Sequence, residues 1–110
     1  MRLNYRIQTL MSTYEQSEKL SLMRESERMN RKEMAQLVDI PYSSLSNYEA
    51  GRMKMSFEAG AKIFKHPRFR KYRDWFMFDE VNPETGQIAP ALAHYGQEET
   101  ISQHSEKKTG

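Results

Sequence analysis

The sequence predicts a mostly helical domain of five helices that ends in a short β-hairpin. Apolar residues recur at helical spacing between residues 14 and 78, and each such segment begins at a capping residue or a proline. After Phe78, the turn Asn82-Pro83-Glu84-Thr85-Gly86 lies between short apolar flanks. A proline-led turn that closes on glycine between such flanks is typical of a hairpin.

The first helix is predicted to start at Ser12 or Thr13 and the second at Asn30. A glutamate lies three residues after Ser12 (Glu15) and after Asn30 (Glu33), which is the pattern of a capping box. The first helix is predicted to run to about Arg28. The second covers residues 31–38, and its apolar positions form one stripe.

Three further helices follow. Asp39-Ile40-Pro41 predicts a turn, because Asp tolerates left-handed geometry and proline removes a backbone donor. The third helix is predicted over residues 41–50, with Gly51 as its C-terminal cap. The fourth runs from a cap at Ser56 to about Phe64. The fifth begins at Pro67 and carries an aromatic face.

Charge divides the chain into two parts. Residues 17–73 contain 13 Lys and Arg against 7 Asp and Glu, whereas residues 74–110 contain 2 against 7. A basic part followed by an acidic part indicates a polyanion-binding domain and a segment with another task. The predicted organisation is an N-terminal extension (1–11), a helical DNA-binding domain (12–78), a hairpin and dimerisation segment (79–93) and a disordered tail (94–110).

Composition excludes several classes of protein. No run approaches the ~18 apolar residues of a membrane span, and the first ten residues lack the apolar core of a secretory signal, so we expect a cytoplasmic protein. The absence of cysteine excludes a disulfide and a thiolate metal site. His66, His94 and His104 show no metal-ligand spacing. We expect no catalytic residue, metal or cofactor.

Residues 29–52 carry the pattern of a helix-turn-helix. Ala35 is small where the two helices cross, and no acidic residue precedes Glu49 on the outer face of the second helix. That face carries short side chains and one tyrosine, which fit a major groove ~12 Å wide: Tyr42, Ser43, Ser46, Asn47 and Ala50.

This run resembles the Cro and lambda-repressor superfamily. The matching features are the Asn30–Glu33 pattern, Ala35, Val38-Asp39-Ile40, Leu45 and Tyr48-Glu49-Ala50-Gly51. It departs from the superfamily where glycine is usual, at Asp39, and where Ser or Thr is common, at Pro41.

A closer resemblance extends to the C-terminus. WFMF from Trp75, GQIAPALAHYGQ from Gly86 and the terminal HSEKKTG are similar to the C immunity repressors of P2-type temperate phages. This resemblance implies a repressor of an early promoter that maintains lysogeny. It also implies that a dimer binds operator DNA at directly repeated half-sites.

The resemblance assigns roles to individual residues. It implies base-reading roles for Tyr42, Ser43, Asn47 and Ser46. Phosphate contacts are expected from Arg31, Ser44, Arg52, Lys54 and Arg24. It further implies an ion pair between Arg24 and Glu49. No room remains for a self-cleaving peptidase domain, so an antirepressor protein is the more natural off-switch and a candidate partner.

Dimerisation is expected in the C-terminal part, because five large aromatics are many for so small a domain to bury. Core packing is the competing interpretation for these aromatics. The candidate dimer residues are Trp75, Phe76, Phe78, Val81 and Ile88. Two other functions are open: an antitoxin that uses the same motif for autoregulation, and a small nuclease. A co-purifying toxin favours the first, and cleavage of DNA with magnesium favours the second.

Overall fold

The computed structural model describes residues 14–93, and six α-helices lie between Gln16 and Phe78. They are α1 (Gln16–Ser26), α2 (Arg31–Val38), α3 (Tyr42–Glu49), α4 (Phe57–Phe64), α5 (Pro67–Arg70) and α6 (Arg73–Phe78). A short 3-10 turn, Pro83–Thr85, follows. None of the helices in residues 14–93 is both long and apolar enough to cross a bilayer. The predicted extension and the predicted disordered tail lie outside the described residues.

The N-terminus of α1 differs from its prediction. Glu15 is the N-cap, and its capping box is closed by Glu18, whose Oε1 accepts from the Glu15 N–H at 3.0 Å. A glutamate can therefore serve as the capping residue as well as the third residue of a box. The predicted cap at Ser12 lies outside the described residues. Helix α1 ends two residues before Arg28, whose φ of 58° takes the chain out of the helix.

The segment predicted to be a helix-turn-helix contains two helices within the predicted boundaries. Asn30 Oδ1 accepts from the Glu33 N–H at 2.8 Å, and Glu33 Oε1 accepts from the Asn30 N–H at 2.9 Å, so the capping box of α2 is complete. Asp39 ends α2 in the left-handed conformation (φ 61°), as predicted for this turn. Helix α3 lies within the predicted range, and Gly51 follows it at φ 76°.

The core lies where α1, α2 and α3 meet and continues to α4, α5 and α6. Helix α3 packs against both α1 and α2, α4 packs against α5, and α1 packs against α6. The fully buried side chains include Leu20, Met23, Met34, Leu45, Ile63 and Phe69. Ser56 caps α4 as predicted, since its Oγ accepts from the Ala59 N–H at 3.0 Å.

The fifth predicted helix is in fact two helices, α5 and α6, which break at Lys71 and Tyr72. The side chain of Gln87 occupies the break. Its Nε2 donates to the carbonyl of Arg70 at 3.0 Å, and its Oε1 accepts from the N–H of Asp74 at 2.9 Å. Groups that a continuous helix would pair internally are thus bonded to a residue far along the chain.

The predicted β-hairpin is wrong. Residues 14–93 contain no β-strand, and the turn is closed by one antiparallel bridge between Asn82 and Gln87. Gly86 has the positive φ (84°) expected of the turn. The flanks do not pair further, because the N–H of Ile88 donates to the Lys71 carbonyl at 2.9 Å. The segment is therefore fastened to the α5–α6 break and not to itself.

The candidate dimer residues divide into two groups. Trp75 and Phe76 are 3% and 5% exposed, so the structure places them in the core of a single chain. Their packing against the other helices leaves almost no area for a second molecule. Phe78, Val81 and Ile88 are 61%, 52% and 40% exposed.

Lys19 fastens the end of α6 to α1. Its buried Nζ donates to the carbonyls of Trp75 and Phe76 at 3.2 and 3.1 Å, and lies 2.6 Å from the carboxylate of Asp79. A cation at a helix C-terminus stabilises the unpaired carbonyls there. The exposed Phe78 is consequently held at a defined place beside the core.

Candidate nucleic-acid interface

Glu49, near the C-terminal end of α3, is the centre of a buried polar cluster. Its side chain is 0% exposed. The carboxylate accepts from Arg24 Nε at 2.8 Å and Arg24 Nη2 at 2.9 Å, from Arg31 Nε at 2.9 Å, and from Ser21 Oγ at 3.0 Å. One carboxylate therefore joins α1, α2 and α3, and the implied Arg24–Glu49 ion pair is present.

The cluster keeps Glu49 ionised. Burial raises the pKa of the Glu49 carboxyl, but the hydrogen bonds from Arg24, Arg31 and Ser21 outweigh burial and hold it below its usual value. The hydrogen bond and charge of Glu49 raise the pKa of the Arg31 guanidinium. An ionised, fully bonded carboxylate fixes the angle at which α3 crosses α2.

The outer face of α3 presents three of the four base-reading candidates to solvent. Tyr42 is 54% exposed, and Ser43 is also exposed. Asn47 is half-buried, and its Oδ1 accepts from Arg52 Nε at 3.1 Å. The Asn47 amide and the Arg52 guanidinium are thus adjacent at the C-terminal end of the helix.

The serines of α3 differ from this pattern. The hydroxyl of Ser46 is buried and has no hydrogen-bond partner among the described residues, so it does not point out beside Tyr42 and Asn47. Ser44 is half-buried and lines a small groove between α3 and α4, where Pro41 and Ser56 also lie.

The basic residues among the phosphate candidates lie at two places beside this face. Arg24, Arg31 and Tyr42 line an open groove of about 700 Å³ at the N-terminus of α2, together with Asn30 and Lys32. The Arg24 side chain is 10% exposed and its Nη1 donates to the Met29 carbonyl at 2.9 Å, whereas Arg31 remains 42% exposed. Arg52 and Lys54 are exposed in the loop between α3 and α4.

Two members of these polar clusters were not predicted. Ser21 bonds Glu49 across 28 positions, and nothing near it in the sequence indicates this.

Glu27 is the centre of a second cluster, in which its carboxylate binds the Tyr72 hydroxyl, Arg68 Nε at 2.9 Å and Lys71 Nζ at 3.0 Å. The sequence contains only a weak signal for the Glu27 cluster, namely a carboxylate beside the turn before α2 and basic residues further along the chain.

Burial raises the pKa of the Glu27 carboxyl, but the hydrogen bonds from Tyr72, Lys71 and Arg68 outweigh burial and lower it. Burial, followed by the hydrogen bond to Glu27, raises the pKa of the Tyr72 hydroxyl. The Glu27 cluster therefore contains an ionised carboxylate, a neutral phenol and two cations.

Comparison with known proteins gives one informative match. No protein-family model matches the chain. The chain is 51% identical over 94 residues to a protein described as "Repressor protein C" of Escherichia phage P2. The match covers 86% of this chain and 95% of that protein.

Proposed function

The chain belongs to the family of P2-type phage C immunity repressors, and from this premise we propose that it binds a specific operator in double-stranded DNA as a homodimer. The operator consists of two half-sites in direct repeat. It overlaps an early promoter, and the bound dimer excludes RNA polymerase and so maintains lysogeny.

The observation that carries the proposal is the buried Glu49 cluster under an exposed α3. A helix that enters the major groove must present its side chains at a fixed angle to the phosphates on either side. Glu49 ties α3 to α1 and α2 through Arg24, Arg31 and Ser21, while Tyr42 and Ser43 stay exposed.

Base choice and affinity come from different residues. Asn47 is suited to adenine, which an amide contacts with two hydrogen bonds, and Tyr42 to a thymine methyl or a phosphate. Arg31, Arg52 and Lys54 contact phosphates, which supplies most of the affinity and its dependence on salt. The hydrogen bond between Arg52 and Asn47 supports this division, because it holds the amide proposed to read a base beside the guanidinium proposed to contact a phosphate.

The second copy is proposed to cover the exposed apolar side chains that follow α6. Phe78, Val81 and Ile88 are exposed, and Lys19 holds the α6 end in place. A second copy would remove this apolar surface from water, and the free energy gained is proportional to the apolar area that is buried.

In-vitro selection from a random duplex library at ~150 mM salt tests the proposal, since specific binding must exceed the non-specific binding that salt weakens. We expect the bound pool to contain two copies of one short motif at fixed spacing and in the same orientation. An inverted repeat would refute the direct-repeat arrangement alone. A pool without an enriched motif would refute operator recognition by α3.

A further inference from the structure

A second basic surface lies outside the residues assigned to the operator. Residues 65–73 (KHPRFRKYR) contain five Lys and Arg and no Asp or Glu. Four of these five, all but Arg73, which pairs with Asp74, join a cation that follows α1 in what we call the basic ridge: Arg28, Lys65, Arg68, Arg70 and Lys71.

Short contacts fix two parts of the basic ridge. Arg68 Nε and Lys71 Nζ share the carboxylate of Glu27, and Arg68 Nη2 donates to the Glu27 carbonyl at 3.1 Å. Arg70 Nη2 donates to the carbonyl of Lys65 at 3.2 Å, which brings these two residues together. Arg68 and Lys71 are therefore fixed beside the end of α1.

The charge of the ridge is far from neutralised. Glu27 supplies one negative charge to five cations. Arg28, Lys65 and Arg70 form no ion pair with any residue in the described range 14–93. All three are exposed. Unpaired and exposed cations in this number fit a polyanion.

The position of the ridge favours DNA as the polyanion that it binds. Arg28 lies two residues before Asn30, which lines the groove at the N-terminus of α2 with Arg31. Arg68 is bonded to Glu27, the neighbour of Arg28. Arg28, Arg68 and Lys71 therefore lie at the turn before α2, next to the groove at which the operator phosphates are proposed to bind.

We propose that the basic ridge binds the phosphate backbone of DNA that flanks the operator half-site. This inference rests on the operator-binding function proposed above. The ridge makes no base contact, so it extends the length of duplex that the protein covers without adding to the sequence it selects. An acidic protein surface is the alternative partner.

Flank length provides the test. The full chain is titrated with two duplexes that carry the selected operator, one blunt at its edges and one extended by about 10 base pairs, one helical turn, on each side. We expect the wild type to bind the extended duplex about five- to tenfold more tightly. The salt dependence should steepen by about one to two units, at ~0.9 unit per phosphate contacted.

Two arginines three positions apart supply a matched pair of variants. Arg70→Gln removes a ridge cation that has no acidic partner in residues 14–93. Arg73→Gln removes a cation outside the ridge, whose Nε lies 3.0 Å from Asp74. A longer duplex attracts every cation of the protein more strongly, so a flank preference of the wild type alone does not identify the ridge. The difference between the two variants does. We expect Arg70→Gln, and more so Lys65→Gln/Arg70→Gln, to reduce the flank preference, while Arg73→Gln retains it.

The outcomes separate this inference from the proposed function. If all proteins bind the operator but show equal flank preference, the ridge does not contact DNA and the operator function stands. If the wild type shows no flank preference, the ridge faces another partner, and an acidic protein becomes the favoured one. If no duplex is selected at all, the proposed function itself fails.

Discussion

Replacing Glu49 with glutamine tests whether the buried ion pair holds the helix-turn-helix in shape. The Arg24 side chain is 10% exposed, so the variant leaves its charge inside the protein with only the exposed carboxylate of Glu25, 3.6 Å from Nη2, as a counter-ion. In the wild type, Glu49 Oε2 accepts a hydrogen bond from Arg24 Nε at 2.8 Å. The glutamine amide places an N–H donor against this Arg24 donor. Breaking a buried pair costs about 3–5 kcal/mol. Because the amide oxygen still accepts, we expect a loss near the lower limit, about 3 kcal/mol.

Urea unfolding followed by the fluorescence of the single tryptophan, the buried Trp75, measures this loss. With an m-value of about 1–3 kcal/mol per molar, the midpoint should fall by roughly 1–3 M. The matched control is Glu80→Gln, an exposed carboxylate without an ion pair in residues 14–93. It should change stability by less than about 0.5 kcal/mol. Equal effects in the two variants would refute the reasoning.

The same variant predicts a difference in pH dependence. Although burial raises the pKa of Glu49, its hydrogen bonds hold the pKa below the usual 4.5 in the folded protein. A carboxylate whose pKa is lowered by folding stabilises the protein above its unfolded pKa, and this contribution is lost as the pH falls through the folded pKa. Between pH 7 and 3 the wild type should therefore lose stability more steeply than Glu49→Gln. Parallel curves would show that Glu49 contributes nothing as an ion.

Three further predictions concern the turn, the DNA face and the dimer. Asp39→Gly should raise the melting temperature by several degrees, since φ is 61° at this position and the left-handed region costs a non-glycine residue about 1 kcal/mol. Asp79 has a similar φ of 58°, but its carboxylate pairs with the buried Lys19, so Asp79→Gly should lower the melting temperature. Asn47→Ala should lose sequence preference and keep non-specific binding, whereas Arg52→Ala should weaken binding to all sequences and flatten the salt dependence by about one unit. Equal losses on operator and random DNA in both would contradict these roles. Phe78→Asp should give a folded monomer in sedimentation, because the side chain is 61% exposed in one chain, and a dimer of unchanged affinity would remove this surface from the interface.

Elements whose geometry is decided within a few residues were predictable from the sequence. The α2 boundaries follow from the reciprocal hydrogen bonds of Asn30 and Glu33, which are three residues apart. The left-handed turn at Asp39 and the cap at Ser56 are equally local. The pattern of side-chain exposure on α3 was predicted only in part, because the hydroxyl of Ser46 is buried.

Elements whose geometry depends on distant partners were not predictable. The break between α5 and α6 depends on Gln87, which lies 13 and 17 positions from the two groups it bonds. The same contacts explain why the predicted hairpin is absent. A pattern of apolar and turn residues indicates local conformational preference. It does not indicate that a side-chain amide from one segment will form hydrogen bonds with backbone groups at the ends of two helices.

The two buried glutamates explain why acids lie beneath the basic side chains that are proposed to bind DNA. Glu49 holds Arg24 and Arg31, and Glu27 holds Arg68 and Lys71, so each carboxylate cancels one charge and orients two. Long cationic side chains lose rotamer freedom when a ligand immobilises them, and prior fixation reduces this loss. If Glu49 acts in this way, Glu49→Gln should bind random DNA at least as tightly as the wild type, since its net charge is more positive. Under conditions where circular dichroism shows it folded, the same variant should bind the operator more weakly. A parallel gain on both DNAs would mean that Glu49 acts only as a negative charge.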